Sequence, residues 1–114
     1  MPKRRVERSL ASAALLFAAL GDPTRLALLQ KLSDGGPKSI SVLSDRFRAM
    51  TRQGVRKHLH VLAVAGVIAG QRQGREHVWA LNTARLAEGR RCLEMIAGEW
   101  DRALARLQAH VEDT

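Results

Sequence analysis

Residues 51–81 read TRQGVRKHLHVLAVAGVIAGQRQGREHVWAL, and two different periodicities meet inside this stretch. In its first part Val55, Leu59 and Leu62 fall within a narrow arc of a helical wheel. Gln53, Arg56, Lys57 and His60 fall on the opposite side. Thr51 has the side-chain oxygen that a helix N-terminus needs for its free amides, and Gly66 closes the helix at about Ala65. Then the period changes. Val67 to Arg72 and Arg75 to Leu81 are short segments around Gln73 and Gly74, and glycine supplies the positive φ of a tight hairpin turn. Val78 is β-branched and Trp79 aromatic, both favoured in strands. Arg72 and Arg75 flank the tip of this hairpin.

Upstream, residues 7–20 predict a first helix with Leu10, Ala13, Ala14, Phe17 and Leu20 at helical spacing, ended by Gly21. Asp22 and Pro23 open a second, since Asp caps free amides and Pro fits the first helical position. Its inward stripe is expected to be Leu26, Leu29 and Leu32, and Gly35-Gly36-Pro37 stops it. Ser39 or Ser41 caps a short third helix facing inward with Ile40, Leu43 and Phe47. Downstream, Asn82 caps a last helix from Thr83 to about Val111. Leu86, Leu93, Trp100 and Leu107 recur in it every seven residues, and Ile96, Leu104 and Val111 widen the stripe. Roughly 28 helical residues span ~42 Å, more than a small domain's own core covers. The seam is therefore expected to face another chain as well. Gly89 and Gly98 lie inside it, and a bend or break would fall there.

Composition agrees with one soluble domain over residues 1–114: 46% of residues are apolar and 26% charged. The single cysteine, Cys92, excludes an internal disulfide and any cysteine-pair zinc site, and fits a reducing, cytoplasmic setting. Nineteen basic residues oppose eleven acidic ones, for a net charge of +8. The excess is concentrated. Residues 46–75 hold Arg46, Arg48, Arg52, Arg56, Lys57, Arg72 and Arg75 and no acid. A second, smaller excess (Lys3, Arg4, Arg5 and Arg8 against Glu7) lies at the start. Such a bias points to a polyanionic partner, nucleic acid before membrane. The basic start and the run Leu10–Leu20 share features with a leader peptide, but the run is too short to span a bilayer. Its i, i+3, i+4 spacing is that of a packing helix. No nucleophile–base motif, glycine-rich phosphate loop or carboxylate pair is present, so no enzyme is expected.

The order of elements, α-α-α-α-β-β-α, is mainly helical with a small β-hairpin. It is the layout of a winged helix-turn-helix, in which an exposed helix enters the major groove and the hairpin reaches the neighbouring backbone. On this layout Thr51, Arg52, Gln53, Arg56, Lys57, His60, Arg72, Gln73, Gly74 and Arg75 are the candidate contacts to double-stranded DNA. Arg52, Gln53 and Arg56 are the candidates for base readout. Lys57 and His60 are expected on phosphates, and Thr51 is expected to cap the helix and touch phosphate. Leu10, Phe17, Leu93, Ile96, Trp100, Leu104, Leu107 and Val111 are the candidate dimer contacts. His58 is expected to be a packed, hydrogen-bonded side chain, His77 a surface strand residue, and Cys92 a small buried hydrophobe.

The same residues resemble the ArsR/SmtB family of bacterial winged-helix repressors. The likeness rests on Leu20-Gly21-Asp22-Pro23-Thr24-Arg25, on Met50-Thr51-Arg52-Gln53-Gly54-Val55-Arg56-Lys57-His58-Leu59, and on Leu62, Ala65-Gly66-Val67-Ile68, Gly74-Arg75 and Trp79-Ala80-Leu81. It covers about residues 10–111. It implies a homodimer joined through the first and last helices, binding an inverted repeat in a promoter. Two departures stand out: Gly54 where the family more often has Ala, and Arg56 where it has a small Ser or Ala. Gly54 weakens the helix's first turn but lets backbone approach phosphates closely. Metal-sensing members carry Cys-x-Cys on the third helix, where this chain has Ser41-Val42-Leu43-Ser44. Others pair Asp and His on the last helix. Here Asp101 has Ala103 two residues on, and His110 has only Glu112 and Asp113 nearby. No metal effector or cofactor is expected, which places the chain nearer the metal-free, autorepressor-like branch, and the inducer is unknown. The competing reading is a dimeric protein-interaction module, antitoxin- or anti-regulator-like, with only non-specific affinity for DNA.

Overall fold

The computed structural model describes residues 2–113 and, for Pro2 and Lys3, only the backbone. Met1, Thr114 and the Lys3 side chain, all counted in the sequence reading, lie outside the described residues. Helix α1 runs Pro2–Leu20, α2 Pro23–Ser33, α3 Ile40–Arg46, α4 Arg52–Val64 and α5 Thr83–Glu112. Strand β1 is Lys38–Ser39, β2 Ile68–Gln73 and β3 Glu76–Leu81. Helix α1 starts earlier than its apolar run, because Lys, Arg and Glu are good helix formers and nothing after Pro2 breaks the helix.

Four caps fall on the residues whose side chains suit them. Asp22 accepts from the Arg25 amide at 3.0 Å, Ser39 from Val42 at 3.3 Å, Thr51 from Gly54 at 3.0 Å and Asn82 from Arg85 at 3.3 Å. Each satisfies a first-turn donor that would otherwise have no partner.

Leu16 and Ala19 of α1, Leu28, Leu29 and Leu32 of α2, Leu43 of α3, and Val55, Leu59 and Leu62 of α4 form one core with Val67 and Ile68. The stripe of α2 differs from expectation: Leu28 is fully buried, whereas Leu26 is 51% exposed. Four leucines in eleven residues leave the period of so short a helix ambiguous, and packing against α1 and α4 selects the face.

The β element is also larger than a hairpin. Strands lie in the order β1-β3-β2, all antiparallel. Lys38 pairs with Trp79 and Ser39 with Val78. Two residues before a helix carry no strand pattern of their own, so only the edge of β3 creates this strand. The hairpin itself closes at Gln73 and Glu76, with Gly74 at φ 63° and Arg75 as the two loop residues. Arg75 is thus the tip, and Arg72 lies on β2 opposite His77.

Helix α5 is continuous through both glycines. Gly89, its one buried residue among those described, is where α1 crosses: a Cβ there would fall on the Leu16 Cδ2 atom. Gly98 meets only the flexible end of Arg102. Beyond this crossing Leu93, Ile96, Trp100, Leu104, Leu107 and Val111 are all exposed, Trp100 by 63%. The radius of gyration is 18.9 Å, against about 13 Å for a compact chain of this length. A long unshielded helix explains the difference.

The two glycines predict opposite outcomes. Gly89→Val forces α1 and α5 apart and should cost about 1–3 kcal/mol in denaturant unfolding. Gly98→Ala should be neutral or stabilise by up to ~1 kcal/mol, since it only raises helix propensity. A comparable loss in both variants would show that the α1–α5 crossing does not depend on the missing side chain.

Candidate nucleic-acid interface

Helix α4 is held on its inner side by Val55, Leu59 and Leu62, each with no exposed surface. Their burial fixes the rotation of the helix about its axis. Arg52, Gln53, Arg56, Lys57 and His60 are then forced outward, and all five are exposed. Thr51 is exposed as well and engaged in its cap. Gly54 is half-buried: a Cβ there would lie 2.9 Å from Met50 Cγ, so its lack of a side chain makes room for the turn that joins α3 to α4. One candidate is already engaged. The Arg52 guanidinium donates to Ser41 Oγ at 2.7 Å, tying the start of α4 to α3.

The hairpin presents Arg72, Gln73, Gly74 and Arg75, all exposed. Glu76 is the one acid near the tip. On the helix-facing side, Ile40, Arg56, His60, His77 and Trp79 line a cleft of about 480 Å³ between α4 and β3. His77 is exposed, as expected, but it also stacks on Trp79 with ring centroids 4.6 Å apart and planes 17° apart.

Two arginines that sequence reasoning passed over hold this face in place. Arg25 donates through Nε to Ala19 O and through Nη2 to Ala18 O at 3.4 Å, covering the last carbonyls of α1. Its Nη1 lies 3.4 Å from His58 Nδ1 on α4, and the same imidazole nitrogen is 3.9 Å from Asp22 Oδ2. His58 is the packed, partnered histidine anticipated. Arg85 does the equivalent at the C-terminal end of α4. Its Nε donates to Ala65 O at 2.9 Å, Nη1 to Ser12 Oγ and Glu88 Oε2 at 2.7 Å each, and Nη2 to Ser12 O at 2.8 Å. Both arginines stand three residues after a capping Asp or Asn. That shared spacing was a visible signal, but its meaning depends on which helix end lies in front of it.

Asp22 feels this corner. The hydrogen bond from the Arg25 amide holds its carboxyl below the usual aspartate range, and partial burial opposes that shift. The charges of Arg25 and His58 lower it further. Cys92 is half-buried and borders a groove of about 620 Å³ between α1 and α5. Among the described residues, no three His, Cys, Asp or Glu side chains converge on a common point. Among the described residues, no single helix is long and apolar enough to cross a membrane.

Comparison with known proteins agrees with the geometry. The helix-turn-helix domain family matches residues 20–71. An uncharacterised HTH-type transcriptional regulator of Bacillus subtilis, YuzN, is 36% identical over 76 residues, covering 62% of this chain and 83% of its own. The structure of an ArsR-like transcriptional regulator from Rhodococcus sp. RHA1 superimposes with a TM-score of 0.77 at 37% identity, covering 88% of this chain and 92% of that one. A homodimeric winged helix-turn-helix DNA-binding domain of Mycobacterium bovis shares the fold, at 20% identity and a TM-score of 0.63 over 79% of this chain and 82% of that one.

The Asp22 corner predicts a pH signature. A carboxyl with a lowered folded-state pKa adds stability above its unfolded value, about 3.9, and loses it as the pH falls through the folded value. Asp22→Asn keeps a capping oxygen and removes the charge. Thermal melts should show the variant less stable at pH 6, with the difference shrinking steadily below about pH 4. A difference independent of pH would mean that the charge contributes nothing.

Proposed function

The chain belongs to the ArsR family of helix-turn-helix transcriptional regulators, and from that premise we propose that it is a cytoplasmic, homodimeric repressor that reads an inverted-repeat operator and answers to no metal. The outward face of α4 carries the proposal. Five side chains able to bind DNA are presented together with no acid among them, beside a hairpin with a basic tip.

In this reading Gln53 and Arg56 read base edges: Gln suits adenine N6 and N7, and Arg suits guanine O6 and N7. Arg52 joins them by exchanging its bond to Ser41 for a base or phosphate. Thr51, Lys57 and His60 hold backbone phosphates and set the register. Arg72, Gln73, Gly74 and Arg75 follow the adjacent minor groove. A second copy covers the seam of Leu93, Ile96, Trp100, Leu104, Leu107 and Val111, and Leu10 lies exposed on α1 to join it. Phe17 is half-buried against the chain's own core and offers the partner only an edge. A two-fold dimer then sets two copies of α4 about 34 Å apart, one turn of B-DNA. Ser41, Val42, Leu43 and Ser44 offer no thiolate where metal-sensing relatives have two.

Fluorescence anisotropy on the DNA upstream of the gene, against a scrambled duplex at physiological salt, tests this. A preference on the order of a thousandfold is expected. Arg56→Ala should cost about 1–3 kcal/mol and relax preference at one base position, whereas Lys57→Ala should weaken all duplexes alike and lower the salt slope by about one. Trp100→Glu should give a monomer in sedimentation. Equal, strongly salt-dependent binding to every duplex would instead favour an acidic protein partner.

A further inference from the structure

The cleft between α4 and β3 has the chemistry of a small-molecule site. Arg56 and His60 lie one turn apart on α4, so both point the same way. His77 and Trp79 alternate along β3 and share a face with Leu81. Gly70 pairs with Trp79 and Arg72 with His77, so Arg72 belongs to that face too. The floor exists because residue 70 has no side chain. A Cβ at Gly70 would collide with His77 Nε2 and lie 2.9 Å from Trp79 Cζ3. The two stacked rings therefore lie across β2 in space that any other residue would fill. Ile40, the contribution of α3, completes an apolar wall.

Charge distinguishes this cleft from a gap in packing. Arg56, His60 and His77 line it from two elements, and no carboxylate does. No hydrogen bond or ion pair among the described residues engages Arg56 or His60. The volume of about 480 Å³ falls in the range of ligand pockets. A guanidinium presents a fork that matches a carboxylate, and a stacked aromatic pair accepts a flat ring.

We propose that this cleft binds a small aromatic carboxylate. The carboxylate pairs with Arg56 and His60, and the ring lies on the His77–Trp79 stack. Resting on the DNA-binding reading above, occupation releases the operator, because the ligand takes the guanidinium that base readout needs. No movement between distant sites is required. A ligand bound by the free dimer and excluded by DNA weakens apparent affinity by one plus its concentration over Kd at each cleft. Two clefts at ten times Kd give about a hundredfold.

The test has two arms on the full-length protein. The first titrates the DNA-free dimer calorimetrically with benzoate, 2-naphthoate and indole-3-acetate, and with 2-naphthalenemethanol as the uncharged counterpart. The second repeats the operator anisotropy titration with each present. At least one carboxylate should bind and weaken operator binding roughly tenfold or more, and the alcohol should do neither. His77→Ala should keep operator affinity within about twofold and lose most of the carboxylate response, and His77→Phe should restore it. Circular dichroism melts of both variants confirm the fold. The proposal is overturned if no carboxylate binds the free dimer, if the alcohol acts equally, or if His77→Ala leaves the response intact. Carboxylate binding by a dimer that discriminates no DNA would sink the repressor reading and leave the cleft standing.

Discussion

A guanidinium placed three residues after a helix cap is the interaction on which the DNA-facing geometry depends. Helix ends leave carbonyls without partners, and a chain that turns sharply between helices buries some of them. Arg25 covers the end of α1 from the first turn of α2, and Arg85 covers the end of α4 from the first turn of α5. In both places a cation also meets the negative end of a helix dipole. Arg25 further touches His58, and Arg85 reaches Ser12. Helix α4 is thus held at its middle by Arg25, at its C-terminal end by Arg85 and from beneath by Val55, Leu59 and Leu62. A surface helix that reads DNA needs this, because a small rotation moves its side chains off the base edges.

The molecule divides its apolar surface accordingly. The core under α4 is closed within one chain, with eight large side chains essentially inaccessible. The stripe along α5 is left open over most of its length. Burial of the first kind sets the orientation of α4. In the proposed dimer, burial of the second kind would set the distance between the two copies of that helix. Gly89 belongs to both arrangements. By letting Leu16 sit against the backbone of α5, it brings the long helix close to α1 at one point and sends the rest outward.

The hairpin adds a third surface, and Gly70 shapes it. With no side chain there, His77 and Trp79 fold over β2 and face the cations of α4. The reading helix and the wing therefore share a cleft instead of packing tightly together. Arg56 belongs at once to the outward face of α4 and to the cleft beside it, so the two proposals, DNA readout and ligand binding, meet at one side chain and need no conformational change between them.

Local chemistry was readable in the chain. Asp22, Ser39, Thr51 and Asn82 cap helices because their short side chains reach first-turn amides wherever the helix lies. Val55, Leu59 and Leu62 declared the inner face of α4, since a 3.6-residue period survives any packing partner. The acid-free stretch from Arg46 to Arg75 declared the charged face. Tertiary structure alone decided the remainder. Leu28 and not Leu26 is buried because neighbouring helices chose among four leucines. Lys38 and Ser39 became a strand because the edge of β3 was free beside them. Gly89 and Gly70 gained meaning only from side chains distant in sequence, and the arginines at 25 and 85 only from helix ends that the fold set before them. Periodicity and caps are properties of consecutive residues. Register, close approach and the partner of a long side chain are properties of which elements meet, and no single segment carries them.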